Sequence, residues 1–328
     1  MDGAVRTFAM SSIARFGIDT PLPEHMRGAI IALGNFDGFH QGHQAVAGEA
    51  IRWAREEGRP AIIATFDPHP VRLFKPDTPP FRLTTLDQRQ RLFGAAGADA
   101  MLVLAFDRQL AATSAQSFVR DLLADRLGAS GVVTGEDFTF GKGREGSAPD
   151  LGTLGADLGL RSRIVSPVQG GGAVVSSTRI REALKAGDPQ LAARLLTRPF
   201  AIEGPVVHGA KNGRQLGYPT ANLELGQYLR PRYGIYAVRG RLPDGRMLEG
   251  AANIGIRPSF DPPVELLEPY FFQFSADLYG QTIAVELHAF IRPEQKFDDL
   301  EALKEQMAND CDRARALLAD APAGEDAG

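Results

Sequence analysis

Apolar residues fall first into short continuous runs and later into alternation, and this change of period divides the chain in two. Ala29-Ile30-Ile31-Ala32-Leu33, Ala61-Ile62-Ile63-Ala64-Thr65, Met101-Leu102-Val103-Leu104 and Gly131-Val132-Val133-Thr134, with a weaker fifth run at Arg163-Ile164-Val165, have the length and composition of buried strands. Between them the spacing predicts helices over 43–57, 86–96, 115–127 and 150–158; Val46, Ala50, Ile51 and Ala54 mark the first, and Gly58 and Pro60 end it. Apolar strands alternating with helices predict an α/β, Rossmann-like parallel sheet covered on both faces, with its chemistry at the carboxyl ends of the strands. From Phe200 the pattern turns to short alternating strands, such as 234–239 and 282–288, with a turn at Pro243-Asp244-Gly245. This predicts an antiparallel β-barrel, closed by a C-terminal helix over 298–317. The expected organisation is an N-terminal segment 1–27, an α/β domain 28–186, a linker 187–199, a barrel domain 200–318 and a disordered tail 319–328.

The first strand runs into Gly34-Asn35-Phe36-Asp37-Gly38-Phe39-His40-Gln41-Gly42-His43, a glycine-punctuated turn that opens a helix. Free N–H groups and the helix dipole make such a junction an anion site, and His40 and His43, three apart, can face one anion. Taken alone, the pair is equally two satisfied histidines or half a metal site. Two further stretches follow predicted strands: Thr65-Phe66-Asp67-Pro68-His69-Pro70, and 135–144, where Asp137 and Phe138 set an aromatic ring beside charge as a planar heterocycle requires. Ser176-Ser177-Thr178-Arg179-Ile180-Arg181 opens another helix with two arginines in its first turn, where cations oppose the dipole; an anion between them would reconcile the two.

In the second half, His208 to Asn222 carries Gly209, Lys211, Gly213, Arg214 and Gly217, a flexible cationic loop, followed by Pro219, Thr220 and Asn222. Thr220 and Asn222 alternate onto one face, and neutral oxygens at that spacing suit Mg²⁺ that takes its charge partners from nucleotide phosphates. The loop alone reads more readily as a glycine-rich hairpin with a solvated basic tip.

Charge and composition narrow the classes. The 328 residues carry 36 basic and 40 acidic side chains, net −4, so no basic field points to nucleic acid. Cys311 is the single cysteine, which excludes an intramolecular disulfide and fits a reducing compartment. No run of eighteen apolar residues occurs, and a cytoplasmic protein with no membrane partner is expected. The oligomeric state is left open.

The string at 34–43 resembles the HxGH motif of the nucleotidyltransferase superfamily, in the GNFDGxHxGH form of the subgroup that adenylylates flavin mononucleotide. TFDPHP and GEDFTFG match that subgroup, SSTRIR resembles the superfamily's SSTxxR motif, and all fall in the family's order. The string at 213–222 resembles the riboflavin kinase signature GRxLGxPTAN, with Tyr218 where phenylalanine is commoner. Residues 253–260 look like NxGxRPTF with Ser259 for threonine, and DLYG at 277–280 fixes the register. The chain is thus similar to the bifunctional riboflavin kinase/FAD synthetase family.

The resemblance implies two ATP-dependent steps, riboflavin to FMN in the barrel and FMN to FAD in the α/β domain. In the first domain it implies ATP contacts at Gly34, Phe36, Asp37, Gly38, His40, His43, Ser177, Thr178 and Arg181, with His40, His43 and Arg181 catalytic, and flavin contacts at Asp67, Asp137 and Phe138. In the second it implies ATP contacts at Gly209, Lys211, Gly213, Gly217, Pro219, Thr220 and Asn222, Mg²⁺ on Thr220 and Asn222, flavin contacts at Arg257 and Glu268, and Glu268 as catalytic carboxylate, Glu265 being the weaker candidate. Departures are Thr197 where glycine is usual, and Tyr270 and Gln273 in place of histidine and aspartate. Pro269 directly follows the glutamate and removes a donor, so the strand is expected to be displaced or at an edge there. The competing readings are adenylylation of another phosphorylated compound, and a degenerate kinase domain that senses flavin.

Overall fold

The computed structural model describes residues 13–208, 218–257, 263–297 and 299–320, in two compact units. One unit comprises Thr84–Ser176 with the described residues up to Pro79; the other comprises Pro80–Leu83 with the described residues from Ser177.

The first unit is built on a six-stranded parallel sheet of β1 (Ala14–Gly17), β2 (Ile30–Leu33), β3 (Ala61–Asp67), β4 (Ala100–Ala105), β5 (Gly131–Gly135) and β6 (Arg161–Val165), in the order β1-β4-β3-β2-β5-β6. The predicted strands reappear because β2, β3 and β5 are buried on both faces and had to be apolar throughout. Helix α1 (Gln41–Glu56) packs Val46, Ala47, Ala50, Trp53 and Ala54 on one face, and a second core cluster covers the other. The 86–96 prediction is met by α2 (Leu86–Ala95), whose start is fixed by a capping box between Thr85 and Gln88. The helix expected over 115–127 runs Ala115–Ser117 and continues over Phe118–Arg126 with wider turns, and that over 150–158 is Ala148–Gly155 plus a 3₁₀ turn.

One expectation fails. Residues before 28 are not a mere leading segment, since β1 pairs with β4, Ala14 opposite Ala100. Its side chains are largely exposed, so no apolar run advertised it.

Sheet order and chain order part company at β2. The chain moves from β2 outward to β3 and β4, then returns to the other side of β2 for β5 and β6. Loops leaving the carboxyl ends of β2 and β5 therefore diverge and leave a crevice, the place where open α/β sheets bind ligands.

The second unit is a six-stranded antiparallel sheet of β7 (Phe200–Pro205), β8 (Leu223–Glu224), β9 (Gly234–Arg241), β10 (Met247–Arg257), β11 (Val264–Phe271) and β12 (Thr282–Arg292), in the order β7-β12-β9-β10-β11-β8. A bridge between Val207 and Asn222 brings the two outer strands together and nearly closes the barrel. Helix α5 (Leu300–Ala319) packs Cys311, Ala314 and Leu318 on Ala237, Ala251 and Ala289, small residues that permit a close approach. The tail expected after it lies outside the described residues from 321 onward.

Helices α3 (Ser177–Ala186) and α4 (Pro189–Leu196) belong to this unit, so the compact units part at Ser176, before the expected domain boundary at 186. Arg232 N–H donates to the Leu184 carbonyl at 3.0 Å, which ties α3 to the barrel. Thr197 ends α4 at φ 65°, ψ 13°, a left-handed conformation that costs a β-branched residue and suits glycine. The usual glycine at this position has a backbone reason.

Candidate active sites

The loop after β2 is held in an uncommon shape. Phe36, Gly38 and Phe39 all have positive φ, at 48°, 89° and 43°. Two phenylalanines tolerate this because both rings are core: Phe36 and Phe39 are 1% and 3% exposed and meet Phe93 edge-on at 5.8 and 5.0 Å. Asp37, 3% exposed, accepts from Thr84 N–H at 3.0 Å, while Gly38 N–H donates to Thr84 Oγ1 at 2.9 Å. Phe36 and Asp37 thus shape the loop through the core. Ring and carboxylate are occupied within the fold, which leaves the backbone of both residues to face a ligand.

His40 caps α1, and its Nδ1 accepts from His43 N–H at 3.3 Å. That bond leaves Nε2 as the protonated, donating nitrogen of a neutral His40. The two imidazoles stack 3.6 Å apart at 18°, so they do share a face as their spacing implied; His40 is 5% exposed and His43 half-buried. A Cβ on Gly42 would lie 3.2 Å from the His40 ring, which explains the glycine between the histidines. Gly34 passes its N–H to the Ala64 carbonyl at 3.2 Å. Three residues that sequence reasoning missed brace this loop: Thr84, Thr65, whose hydroxyl donates to the Asn35 carbonyl at 2.7 Å, and Arg89, which donates to Thr65 Oγ1 at 2.8 Å. Polar side chains inside an apolar strand and on a buried helix face were the available signal.

Asp67 ends β3, and its carbonyl accepts from Phe106 N–H at 3.2 Å. Asp137 is exposed after β5, on the far side of β2, and Phe138 stacks on Phe140 at 6.0 Å and 18°. Ser177 and Thr178 stand in the first turn of α3, within the second unit. In that helix Arg181 is oriented by Phe81, whose carbonyl accepts from Nε at 2.9 Å and whose ring lies 5.2 Å from the guanidinium.

In the barrel, β8 and β11 bring the expected groups together. Leu223 pairs with Leu267, and Ala221 N–H donates to the Pro269 carbonyl at 3.0 Å, which sets Asn222 opposite Glu268. A cavity of about 470 Å³ is lined by Pro219, Thr220, Asn222, Arg257 and Glu268 together. Arg257 donates from Nε to Glu268 Oε2 at 2.6 Å and from a terminal nitrogen to the same oxygen; Oε1 takes no bond from a described residue. Burial, the largest influence, would lower the Arg257 pKa, but the hydrogen bonds and charge attraction of Glu268 and Glu294 together outweigh it and the pKa is raised. Glu294, absent from the sequence expectations, takes the other terminal Arg257 nitrogen at 3.4 Å and Asn253 Nδ2 at 3.1 Å.

Glu265 is spent elsewhere. Arg230 donates to it at 2.7 Å and holds its carboxyl below the usual range, and Tyr233 OH donates to its other oxygen. Of the two expectations for Pro269, displacement does not occur, since Ala252 pairs with it and Asn253 with Glu268 in unbroken register, while on its other side the β8 ladder ends at Leu267. The proline carbonyl points to the short β8 side, so the missing N–H is lost there and not from the long β10 ladder. Gly209, Lys211, Gly213 and Gly217 lie outside the described residues.

Comparison with known proteins agrees with this two-part layout. The FAD synthetase family model matches residues 22–179, and the riboflavin kinase model matches residues 196–318. A bifunctional riboflavin kinase/FMN adenylyltransferase of Pseudomonas fluorescens is 41% identical over 304 residues, 92% of this chain and 97% of the relative. The enzyme of the same name from Escherichia coli K12 is 40% identical over 86% of this chain and 90% of its own. A crystal structure described as a macrolide-efflux protein from Streptococcus pneumoniae has a TM-score of 0.83 at 31% identity, covering 92% of this chain and 99% of that one. Among the described residues no helix is long and apolar enough to cross a membrane.

Proposed function

The chain belongs to the bifunctional riboflavin kinase/FMN adenylyltransferase family, and from that premise we propose how its residues divide two reactions. The protein phosphorylates riboflavin with ATP to FMN, then adenylylates FMN with a second ATP to FAD and pyrophosphate. The observation that carries the residue assignment is Asn222 facing Glu268 across β8 and β11, with Thr220 on the same cavity wall.

In the barrel, the riboflavin 5′-hydroxyl attacks the γ-phosphorus of ATP, a new O–P bond forms, the β–γ bridging bond breaks, and ADP leaves. Glu268 accepts the hydroxyl proton on Oε1, the oxygen that Arg257 leaves unoccupied while gripping Oε2. Among the described residues no group of three or more His, Cys, Asp or Glu could hold a metal, whereas the side-chain oxygens of Thr220 and Asn222 fit Mg²⁺ that keeps waters and phosphate oxygens as its other ligands. Bound there, Mg²⁺ would neutralise charge on the β- and γ-phosphates. Gly209, Lys211, Gly213 and Gly217 complete the phosphate loop in this reading.

In the α/β unit the nucleophile, an FMN phosphate oxygen, is already an anion and needs no base. It attacks the α-phosphorus, and the α–β bridging bond breaks to release pyrophosphate. His40 and His43 stabilise charge on the α-phosphoryl oxygens, with the His40 Nε2–H fixed as donor by its cap. The family resemblance carries the leaving pyrophosphate to Ser177, Thr178 and Arg181, which fold with the other unit. Backbone groups of Gly34, Phe36, Asp37 and Gly38 contact ATP, and Asp67, Asp137 and Phe138 receive the flavin. The competing reading, a kinase domain that binds flavin without turnover, rests on the altered segment 268–273; against it, Glu268 lines the same cavity as Thr220 and Asn222. A reducing, cytoplasmic setting suits the buried free thiol of Cys311.

Chromatography of flavins after incubation with riboflavin, ATP and Mg²⁺ tests this reading. FMN should appear first and FAD after it; riboflavin recovered unchanged would contradict it.

A further inference from the structure

Tyr218 and Tyr270, two positions at which the sequence departs from its family's pattern, touch each other: their ring centroids are 5.1 Å apart at 72°. Both line the cavity that holds Thr220, Asn222 and Glu268. They also stand in register with the reacting groups. The pairing that sets Asn222 opposite Glu268 runs on through the Ala221–Pro269 bond toward Thr220 and Tyr270, which share a cavity wall with them. A strand advances about 3.3 Å per residue, so Tyr270 stands roughly 7 Å from Glu268 along β11. The ribityl arm between the reacting 5′-oxygen and the flavin ring is a chain of single bonds of about 1.5 Å each, which extended spans about 7 Å. With the hydroxyl at Glu268, the ring arrives at the tyrosine pair.

Resting on the kinase reading above, we propose that Tyr218 and Tyr270 form the electron-rich wall against which the flavin ring lies during riboflavin phosphorylation. The wall is braced before a ligand enters. Phe272 meets the Tyr270 ring edge-on at 6.0 Å and 72°, and Arg315 covers Phe272 at 4.3 Å. A ring already fixed in place stacks at little entropic cost. Tyrosine donates an electron to photoexcited flavin and phenylalanine does not, so riboflavin seated here has its emission quenched.

The full-length protein tests the proposal by two readouts: fluorescence of bound riboflavin without ATP, and the separate KM values for riboflavin and ATP. The double variant Tyr218→Phe/Tyr270→Phe keeps both rings, and its bound riboflavin is expected to emit more strongly than in the unsubstituted protein. Tyr270→Leu is expected to raise the KM for riboflavin about 5-fold without moving that for ATP. Equal quenching in the phenylalanine variant would overturn the proposal, as would a rise in the KM for ATP in place of that for riboflavin. A protein that phosphorylates no riboflavin at all would overturn the kinase reading, and the fluorescence comparison would still decide the wall.

Discussion

Asn222 and Glu268 face each other across neighbouring antiparallel strands, although 46 residues separate them in the sequence. The pairing depends on a two-residue strand, β8, held between β11 on one side and the Val207 bridge on the other. The barrel seam and the proposed phosphoryl-transfer site are therefore the same place.

Glu268→Gln keeps the size of the side chain but removes the proton acceptor. Riboflavin kinase kcat is expected to fall by about 10²–10⁴. Glu265→Gln, three residues earlier, should change kcat by no more than a few-fold, because Glu265 is bound to Arg230 and Tyr233. Steady-state assays of the two variants decide between the carboxylates; equal losses would contradict the assignment.

His43→Ala should slow FMN adenylylation by about 10²-fold, the usual loss for one oxyanion donor. Riboflavin phosphorylation should continue, so FMN accumulates in the chromatogram. Undiminished FAD output would remove the stacked histidines from the mechanism.

The strands β2 to β5 were legible because burial on both faces forces unbroken apolar runs, and the motifs were legible because glycines and histidines at fixed spacing have few other uses. What stayed hidden was long-range pairing. Thr84 is 47 residues from Asp37, and Glu294 is 37 from Arg257, so neither lies in the string it supports. β1 was not legible because its exposed residues follow no pattern, and the sequence left displacement and an edge position both open for Pro269 because a lost donor matters only on the side to which it points.

Thr197→Gly relieves a left-handed β-branched residue. That conformation costs about 1–2 kcal/mol, and the extra freedom of unfolded glycine offsets about 0.5–1 kcal/mol of it. A net gain of about 0.5–1 kcal/mol is expected, read as a higher urea midpoint. A lower midpoint would show that Thr197 contributes more through its other contacts than its backbone costs.

Burial and the hydrogen bond to Glu265 push the Tyr233 phenol up to about 12, above its ordinary value near 10. Folding thus favours the protonated phenol. Its contribution is complete below pH 10 and is lost as pH rises through about 12. Urea unfolding between these limits should show stability falling with pH, less steeply in Tyr233→Phe. Identical slopes would contradict this assignment.

The most direct test of the division of labour is Asn222→Ala supplied in parallel with riboflavin and with FMN, each with Mg²⁺ and ATP, and followed by chromatography of the flavins. The account predicts that riboflavin is left unconverted while FMN still becomes FAD at close to the rate of the unsubstituted protein. Loss of both conversions together, or of neither, would contradict it.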